Sequence, residues 1–411
     1  MRKWYIVISL ISNLGVLAFF KYTDFAINTF NVIASWFGYQ PQIPFLNVIL
    51  PIGISFFTFQ SMSYTLDVYY KKLEPTDSLF RFLLYVSFFP QLVAGPIIRA
   101  ADFLPQMNKK IVFLEDNFKS GLTLVMWGLV KKVVIADNIA VFVNAFFTDP
   151  TQFAGSLAVI LGAIAFTIQI YCDFSAYSDI AIGVARMIGF TFMLNFDKPF
   201  FSKSIAEFWK RWHISLSTWF RDYLFTPLMG RKFTMTRVYC SVFIVFLVSG
   251  LWHGAGWNFV SWGFLHGFFL IVSMSTEKWR YKFNTFIGLT KLPKFHGLLK
   301  TMITLYLVVF SLLLFRLYNA DFIIYAARKF IFIDFSQFLV QAQALWSQFQ
   351  VPLLFIIVFI IVHIYTYFKK GFLDQIVQKG SFEWTMYLIS MILIMYLFSP
   401  TESIQFIYFQ F

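Results

Sequence analysis

The stretch VPLLFIIVFIIVHIYTY, residues 351–367, decides the fold class of this chain because it contains no lysine, arginine, aspartate or glutamate. A helix of about 20 apolar residues crosses the hydrocarbon core of a bilayer. Nine more stretches are strongly apolar, although some of them carry a few charged residues: Trp4–Phe20, Phe45–Phe59, Leu79–Ile98, Leu122–Phe147, Phe153–Tyr171, Ser241–Leu251, Phe259–Met274, Thr301–Leu317 and Trp384–Phe398. We predict one all-α integral membrane domain over residues 1–411, a polytopic transmembrane helical bundle of about nine to eleven spans.

The composition excludes a water-soluble globule. Hydrophobic residues make up 59% of the 411 residues and charged residues 13%, against about 45–50% and about 25% in soluble domains. Lys and Arg number 33 against 20 Asp and Glu, a net charge of +13. The basic residues lie between the apolar stretches, where the positive-inside rule and anionic headgroups favour them. We therefore expect membrane lipids, and not nucleic acid, as the partner of this charge.

Two apolar stretches carry helix breakers. Phe45–Phe59 contains Pro51 and Gly53, and Leu79–Ile98 contains Pro90 followed by Gly95 and Pro96. Irregular backbone within a membrane is tolerated only where it is buried in protein or lines a wet cavity. The pattern predicts broken or re-entrant helices around a central funnel or tunnel.

The segment 195–236 is the longest stretch that is not apolar enough to span. Basic residues outnumber acidic ones there, which places it on the cytoplasmic side. Ser204 and Glu207 have the spacing of a capping box, and Glu207 lies four residues before Arg211. We predict an interfacial amphipathic helix, whose apolar face holds Phe208, Trp212, Ser215, Leu216 and Trp219.

Five histidines are candidates for proton transfer, and His253 has the most suggestive surroundings, Ser249-Gly250-Leu251-Trp252-His253-Gly254-Ala255-Gly256-Trp257. Small neighbours would let a substrate approach the imidazole, and a water-excluding pocket would keep it neutral for general-base work. The alternative is a packed histidine at a glycine-rich helix crossing, which spacing alone favours.

His213, in the sequence Trp209-Lys210-Arg211-Trp212-His213, could orient a donor, pair with His253 or simply lie at headgroup level. No role is assigned to His266, His296 or His363. HExxH, clustered Cys and His, P-loop, GxGxxG and GxSxG motifs are all missing from the sequence, so we predict no metal site and no bound cofactor.

Two polar patches interrupt apolar sequence. One, residues 171–179, contains Asp173, Tyr177 and Asp179, and the other contains Lys131-Lys132 and Asp137-Asn138. These side chains either line the funnel or are snorkelling lysines and helix–helix hydrogen bonds. Both interpretations stay open.

Several ordered motifs resemble the membrane-bound O-acyltransferase (MBOAT) family, and within it the bacterial alginate and peptidoglycan O-acetyltransferase branch. They are Phe20-Lys21-Tyr22, Leu50-Pro51-Ile52-Gly53-Ile54-Ser55-Phe56-Phe57, Phe89-Pro90-Gln91-Leu92-Val93-Ala94-Gly95-Pro96, Asp173-Phe174-Ser175-x-Tyr177-Ser178-Asp179, Asn195-Phe196-Asp197-x-Pro199-Phe200, Phe208-Trp209-Lys210-Arg211-Trp212-His213, Arg221-Asp222-Tyr223-Leu224, Gly250-Leu251-Trp252-His253-Gly254-Ala255 and Phe406-Ile407-Tyr408-Phe409. Members of this branch carry additional spans before the Phe-Lys-Tyr element, which begins here at residue 20. The resemblance therefore implies missing N-terminal spans.

The resemblance implies an acetyltransferase of the bacterial cytoplasmic membrane that uses acetyl-CoA as donor for O-acetylation of an extracytoplasmic polysaccharide. His253 would be the catalytic base and His213 its partner histidine, with Tyr408 as a candidate acyl acceptor. A secreted or membrane-anchored polysaccharide acyltransferase is the expected partner. Donor binding or tunnel lining is expected of Lys210, Arg211, Trp252, Asp173, Tyr177 and Asp179. The alternatives are D-alanyl transfer to teichoic acid and, from another class, a transporter or flippase.

Overall fold

The computed structural model describes residues 2–153, 155–230, 233–401 and 404–407. These ranges contain no strand, which confirms the predicted all-α class. Their α-helices, in chain order, are α1 Arg2–Leu17, α2 Thr23–Trp36, α3 Ile54–Tyr69, α4 Leu79–Val86, α5 Ala100–Met107, α6 Glu115–Val130, α7 Asp137–Thr148, α8 Ser156–Met187, α9 Ile205–Arg211, α10 Ile214–Phe220, α11 Thr226–Met229, α12 Met235–His253, α13 Trp257–Ser275, α14 Glu277–Phe286, α15 Pro293–Arg316, α16 Ala320–Ile331, α17 Phe338–Phe368, α18 Phe372–Val377 and α19 Ser381–Phe398. The π-helical segments Ala18–Tyr22, Lys131–Ala136 and Arg221–Phe225 join consecutive α-helices.

Seven helical stretches in the described ranges are long and apolar enough to cross a membrane: Lys3–Trp36, Ser156–Met187, Met235–His253, Trp257–Ser275, Pro293–Arg316, Phe338–Phe368 and Ser381–Phe398. This is fewer than the nine to eleven expected from composition. The continuous helical stretch from Glu115 to Thr148 is long enough but carries Lys131, Lys132 and Asp137 in its middle. Helix α3 is only 16 residues long.

Helix α8 is the centre of the bundle. Within its most apolar part, 83% of the residues are buried, and α6, α7, α15, α16 and α17 all pack on it. The close approach of α6 depends on facing glycines, since a Cβ on Gly121 would lie 2.6 Å from the carbonyl oxygen of Gly183. Small residues at such crossings let membrane helices pack backbone to backbone. Their contact sets the polar residues of α8 directly against those that follow α6.

Both predicted breaks are confirmed. Residues 39–50 form no helix, and α3 begins only after Gly53. Helix α4 ends at Val86, and turns lead from there to α5 at Ala100. Gly53 has φ +77°, a backbone conformation that favours glycine. A Cβ at this position would lie 2.3 Å from the carbonyl oxygen of Leu92, so the two irregular segments are in direct contact here.

Gly53→Ala is expected to lower stability by about 1–3 kcal/mol, because it adds a strained φ to a backbone clash. Gly38→Ala is the matched control, since Gly38 has φ +81° but no atom near its Cβ position. The measurement is the midpoint of thermal unfolding in detergent. Equal shifts for the two variants would contradict the close contact with Leu92.

The amphipathic helix predicted near residue 208 is corrected by the structure. Two short helices, α9 and α10, form there instead, and His213 between them has φ +44°. The predicted cap is present, with Ser204 Oγ accepting the Glu207 N–H at 3.1 Å. The apolar face is buried in protein, however: Phe208, Trp212, Leu216 and Trp219 are all under 9% exposed. A stripe of apolar residues at helical spacing does not distinguish burial in protein from contact with lipid.

Candidate active site

His253 is the last residue of α12, and the first helical stretch holds this helix end in place. Lys21 Nζ donates to the carbonyl oxygens of Trp252 (2.6 Å) and His253 (3.2 Å), and the Tyr22 hydroxyl donates to that of Leu251 (2.7 Å). The last carbonyls of a helix lack partners within the helix, and a cation suits their partial negative charge. Lys21 and Tyr22 therefore fix the backbone that carries His253, a role that sequence reasoning did not assign.

The glycines beside His253 pack helices together and do not leave space for substrate. A Cβ at Gly250 would lie 2.2 Å from the Phe259 carbonyl oxygen, and one at Gly254 would lie 2.0 Å from the Phe259 ring. Gly250 also faces Gly263 across the crossing of α12 and α13. The expectation that small neighbours open a path to the imidazole is therefore wrong for these two glycines.

His253 nevertheless lines a cavity. Aromatic rings surround its imidazole, with centroid distances of 5.0 Å to Trp252, 5.2 Å to Trp262 and 5.5 Å to Phe315. A cavity of about 510 Å³, which we call the His253 cavity, is lined by Lys21, residues 50–56, Val93, Lys132, Trp252, His253 and residues 404–406. The broken stretch before α3 thus forms a wall of this cavity, as irregular backbone inside a membrane protein should.

His213 is fully buried, and Asn195 holds it. The amide oxygen of Asn195 accepts the Ser215 backbone N–H at 3.2 Å, which identifies it as the oxygen of that side chain. Its amide nitrogen donates to Ser178 Oγ on α8 at 3.0 Å. The same oxygen lies 3.2 Å from His213 Nδ1, so Nδ1 must be the protonated nitrogen in this contact. In the neutral imidazole the lone pair is then on Nε2, which has no hydrogen-bond partner among the described residues.

The two histidines lie close together although 40 positions separate them in sequence. Their ring centroids are 6.5 Å apart, and the Trp252 ring lies 6.0 Å from that of His213. On its other sides His213 contacts the rings of Phe174 at 4.6 Å and Phe196 at 6.4 Å. We call the rings of Phe174, Phe196, Trp212 and Trp252 the aromatic partition; the first, second and fourth contact His213, and Trp212 packs on Phe196 at 5.2 Å.

A second cavity, of about 620 Å³, lies beyond the partition. We call it the Lys198 cavity. Its charged lining residues are Lys131, Asp179, Arg186, Asp197, Lys198, Lys369 and Asp374, and its apolar walls come from α6, α8, α17 and α19. Phe196 lines this cavity while Trp252 lines the other. His213 therefore lies between the two.

The Lys198 cavity extends from the turn before α19 to Met391 and Ile394 in the second half of that helix, and the residues that follow α19 line the His253 cavity. Lys369, which follows α17, lines the Lys198 cavity, and the Lys198 ammonium donates to the carbonyl of Thr366. Helix α19 starts beyond this turn and is 18 residues long, about 27 Å at 1.5 Å per residue. Residues 404–406, which follow its far end, line the His253 cavity.

Lys131 and Lys132 face different cavities. Lys131 Nζ pairs with Asp179 at 2.7 Å and donates to Ser175 Oγ at 2.8 Å, and it lines the Lys198 cavity. Lys132 Nζ pairs with Asp173 and Asp137, each at 2.8 Å, and lines the His253 cavity. Neither lysine snorkels to a membrane surface. These side chains line cavities, as the first interpretation predicts, and they also form bonds between helices, as the second predicts.

The structure does not bring the other candidates together in one place. Lys210 is exposed, and Arg211 pairs with Glu207 at 2.9 Å and Asp197 at 3.8 Å. Neither lines the two cavities just described, so donor binding by them stays a prediction. Tyr177 stacks edge-on to Phe406 at 5.5 Å. Tyr408 lies outside the described residues.

Two further histidines have distinct surroundings. His266 is satisfied on both nitrogens, with Trp209 Nε1 donating to Nδ1 at 3.2 Å and Ser311 Oγ 3.0 Å from Nε2, which is a packing role. His363 is buried on α17, lines the Lys198 cavity and stacks on Phe201 at 5.3 Å. No local sequence pattern pointed to His363, because its neighbours are uniformly apolar.

Comparisons with known proteins match this sequence to a family. The sequence model described as MBOAT, membrane-bound O-acyltransferase family, matches residues 75–316. A probable alginate O-acetylase, AlgI, of Pseudomonas aeruginosa is 41% identical over 318 residues, which cover 77% of this chain and 58% of that protein. A peptidoglycan O-acetyltransferase of Helicobacter pylori is 37% identical over 310 residues, covering 68% of this chain and 58% of that protein.

A teichoic acid D-alanyltransferase of Bacillus subtilis is 31% identical over 255 residues, covering 59% of this chain and 64% of that protein. The chain spans 58% to 61% of the length of the alginate O-acetylases from Pseudomonas aeruginosa, Azotobacter vinelandii and Pseudomonas putida.

Proposed function

Because this chain belongs to the membrane-bound O-acyltransferase family, we propose that it is an O-acyltransferase that moves an acetyl group from cytoplasmic acetyl-CoA to the other side of the membrane. The acetyl group is destined for hydroxyls of an extracytoplasmic polysaccharide, and a secreted or membrane-anchored acyltransferase is the partner that completes the transfer. The names of the alginate and peptidoglycan relatives support acetyl as the acyl group. The protein is a multi-pass membrane protein, and we place it in the bacterial cytoplasmic membrane.

The observation that carries this proposal is the pair of cavities with His213 between them and His253 in the wall of one. His253 lines one cavity, and His213 lies in the aromatic partition that faces the other. An enzyme that joins a donor from one side of a membrane to an acceptor on the other side needs this arrangement. A carrier that moves its cargo whole would need a site for the complete cargo.

The Lys198 cavity is the side we assign to the donor. One end of the bundle carries the basic residues Arg186, Lys198, Lys369 and Lys370. By the positive-inside rule we assign this end to the cytoplasmic side. Basic side chains at the mouth suit the phosphates of coenzyme A. The apolar interior suits the pantetheine arm, which would bring the thioester toward the partition.

His253 is the base in the proposed reaction. Its imidazole removes the proton from an acceptor hydroxyl in the His253 cavity as the hydroxyl oxygen attacks the thioester carbonyl carbon. The new C–O bond forms, the C–S bond breaks, and the proton passes from the imidazolium to the departing thiolate. His213, with its Nε2 lone pair, orients the donor. Tyr408 is the candidate acceptor, because residues 404–406 before it line the same cavity.

The test is incubation of the purified protein with radiolabelled acetyl-CoA, followed by mass spectrometry of the labelled peptides. We expect label on the protein itself, in the C-terminal peptide. No label above that of heat-treated protein would contradict acetyl transfer from the coenzyme.

D-alanyl transfer to teichoic acid is the second candidate, favoured by the likeness to the Bacillus subtilis D-alanyltransferase. Its donor would be an aminoacyl carrier protein and not a free coenzyme. The same assay with a D-alanyl-loaded carrier protein distinguishes the two. Label from the carrier and none from acetyl-CoA would favour the D-alanyl reaction.

A further inference from the structure

Residues 404–407, which we call the C-terminal segment, are built into the interior of the bundle. Ile404, Gln405 and Phe406 form part of the wall of the His253 cavity. Ile407 is 1% exposed and belongs to the main hydrophobic core. Segments near chain ends are poorly ordered unless particular contacts tie them down. The contacts that tie down this one involve charges.

Lys132 and Asp173 make those contacts. Lys132 Nζ donates to the carbonyl oxygen of Ile404 at 3.0 Å, and it lies 4.4 Å from the centroid of the Phe406 ring. Asp173 Oδ2 accepts the backbone N–H of Ile407 at 2.5 Å. The lysine and the aspartate thus hold the two ends of the segment, with the Phe406 ring between them.

The buried charges of Lys132, Asp137 and Asp173 do not balance, and the C-terminal segment supplies further hydrogen-bond partners to them. Lys132 pairs with both Asp137 and Asp173, so one positive charge faces two negative ones, and all three side chains are over 90% buried. Buried charges are costly unless paired and hydrogen-bonded. The Ile407 N–H brings a partial positive charge to Asp173, and the Ile404 carbonyl takes another donor of Lys132. Withdrawal of the segment would leave both charged groups without these partners.

The neighbouring ion pair provides a comparison within the same helices. Lys131 pairs with Asp179 of α8 in the same way that Lys132 pairs with Asp173. Lys131 and Asp179 line the Lys198 cavity, whereas residues 404–406 line the His253 cavity. The Lys132–Asp173 pair is the one that bonds to the backbone of the C-terminal segment.

We propose that Lys132, Asp137 and Asp173 form an electrostatic latch that docks the C-terminal segment as a wall of the His253 cavity and so positions the acceptor end of the chain. The docking itself does not depend on the reaction. The positioning role rests on the proposed acetyl transfer. Lys132 and Asp173 are in this sense positioning residues and not catalytic ones.

Docking is tested by thiol labelling of the full chain in detergent with a membrane-impermeant maleimide. The probe is Ile407→Cys, with exposed Cys240 replaced by serine and buried Cys172 retained. We expect slow labelling in this parent and labelling about tenfold faster with Asp173→Asn or Lys132→Met, because the segment then opens more often. Asp179→Asn, the matched control, is expected to stay within about twofold of the parent. Equal rates in all four proteins, or an equal rise with Asp179→Asn, would overturn the latch.

A second experiment keeps all the charged residues and changes only the C-terminal segment, so it does not depend on the folding of the charge variants. Ile407→Pro removes the N–H that Asp173 accepts, whereas Ile407→Ala trims the side chain and keeps it. With Ile404→Cys as the probe, the proline variant is expected to label several times faster than the alanine variant. The same rate for both would overturn the role of the Asp173 contact.

The positioning role is read from acetyl transfer. Asp173→Asn is expected to lower kcat about tenfold with KM for acetyl-CoA within about twofold, because the donor side is untouched. Fast labelling of the segment together with wild-type kcat would overturn positioning. A parent that takes up no acetyl label would contradict the proposed function, and the labelling rates would still decide the latch.

Discussion

Replacement of His253 by alanine is expected to lower acetyl transfer from acetyl-CoA by about 10²–10⁴-fold, the usual contribution of a general base. His253 lines the cavity and its ring contacts Trp252 of the partition, and the backbone that carries it is fixed by Lys21 and Tyr22. The measurement is the rate of acetyl incorporation by the purified protein.

His296→Ala is the control for loss of a histidine. His296 is half-buried in the first turn of α15, where its Nε2 is 3.3 Å from the Asn284 amide nitrogen. Both variants should elute as the wild type does in size-exclusion chromatography. Wild-type transfer by a correctly folded His253→Ala protein would refute the assignment of the base.

Asn195→Ala is expected to lower acetyl transfer by about 10²-fold, the cost of misplacing a reacting group by about 1 Å. The Asn195 side chain is the hydrogen-bond partner of His213 Nδ1, of Ser215 and of Ser178. Without it the imidazole loses both the contact that sets its tautomer and the link to α8. The rate of acetyl incorporation at saturating acetyl-CoA is the measurement.

The effect on positioning must be separated from a general loss of stability. Gln341→Ala provides the control, because Gln341 is also a buried amide side chain and accepts the Leu157 N–H at 3.1 Å, far along the chain from His213. Both substitutions are expected to lower the unfolding midpoint. If they reduce acetyl transfer equally, Asn195 acts only through stability.

The features that could be predicted from the sequence have local causes. Runs of apolar residues predict membrane helices, and Pro51 and Gly53 predict a break, because proline and glycine act on their own backbone. The Ser204 cap likewise depends on residues three positions away. The helix class, the broken segments and the cap were all within reach of sequence reasoning.

The geometry of the site depends on contacts between distant segments. The proximity of His213 to His253 follows from the positive φ of His213 and from its hydrogen bond to Asn195, and neither has a local signal. The clamp by Lys21 joins residues 231 positions apart. The family resemblance could single out the two histidines, but the distance between their rings could be known only from the structure.

The lysine pair shows an intermediate case. Successive residues on a helix point about 100° apart. Two adjacent lysines such as Lys131 and Lys132 are therefore expected to face different surroundings. Which aspartate each one meets depends on how α8 packs, and that contact is set by glycines on both helices. The sequence therefore indicated a polar patch without assigning either lysine to a cavity.

The aromatic partition around His213 also bears on the electrical integrity of the membrane. Two water-filled cavities that joined inside a membrane protein would leak protons and metal ions, and any such leak would dissipate the potential that the membrane maintains. Rings packed about a fully buried imidazole present a dry barrier to hydrated ions. In the proposed reaction the uncharged acetyl group would meet a far smaller desolvation penalty there than an ion does, so the partition would exclude ions and still admit the acetyl group.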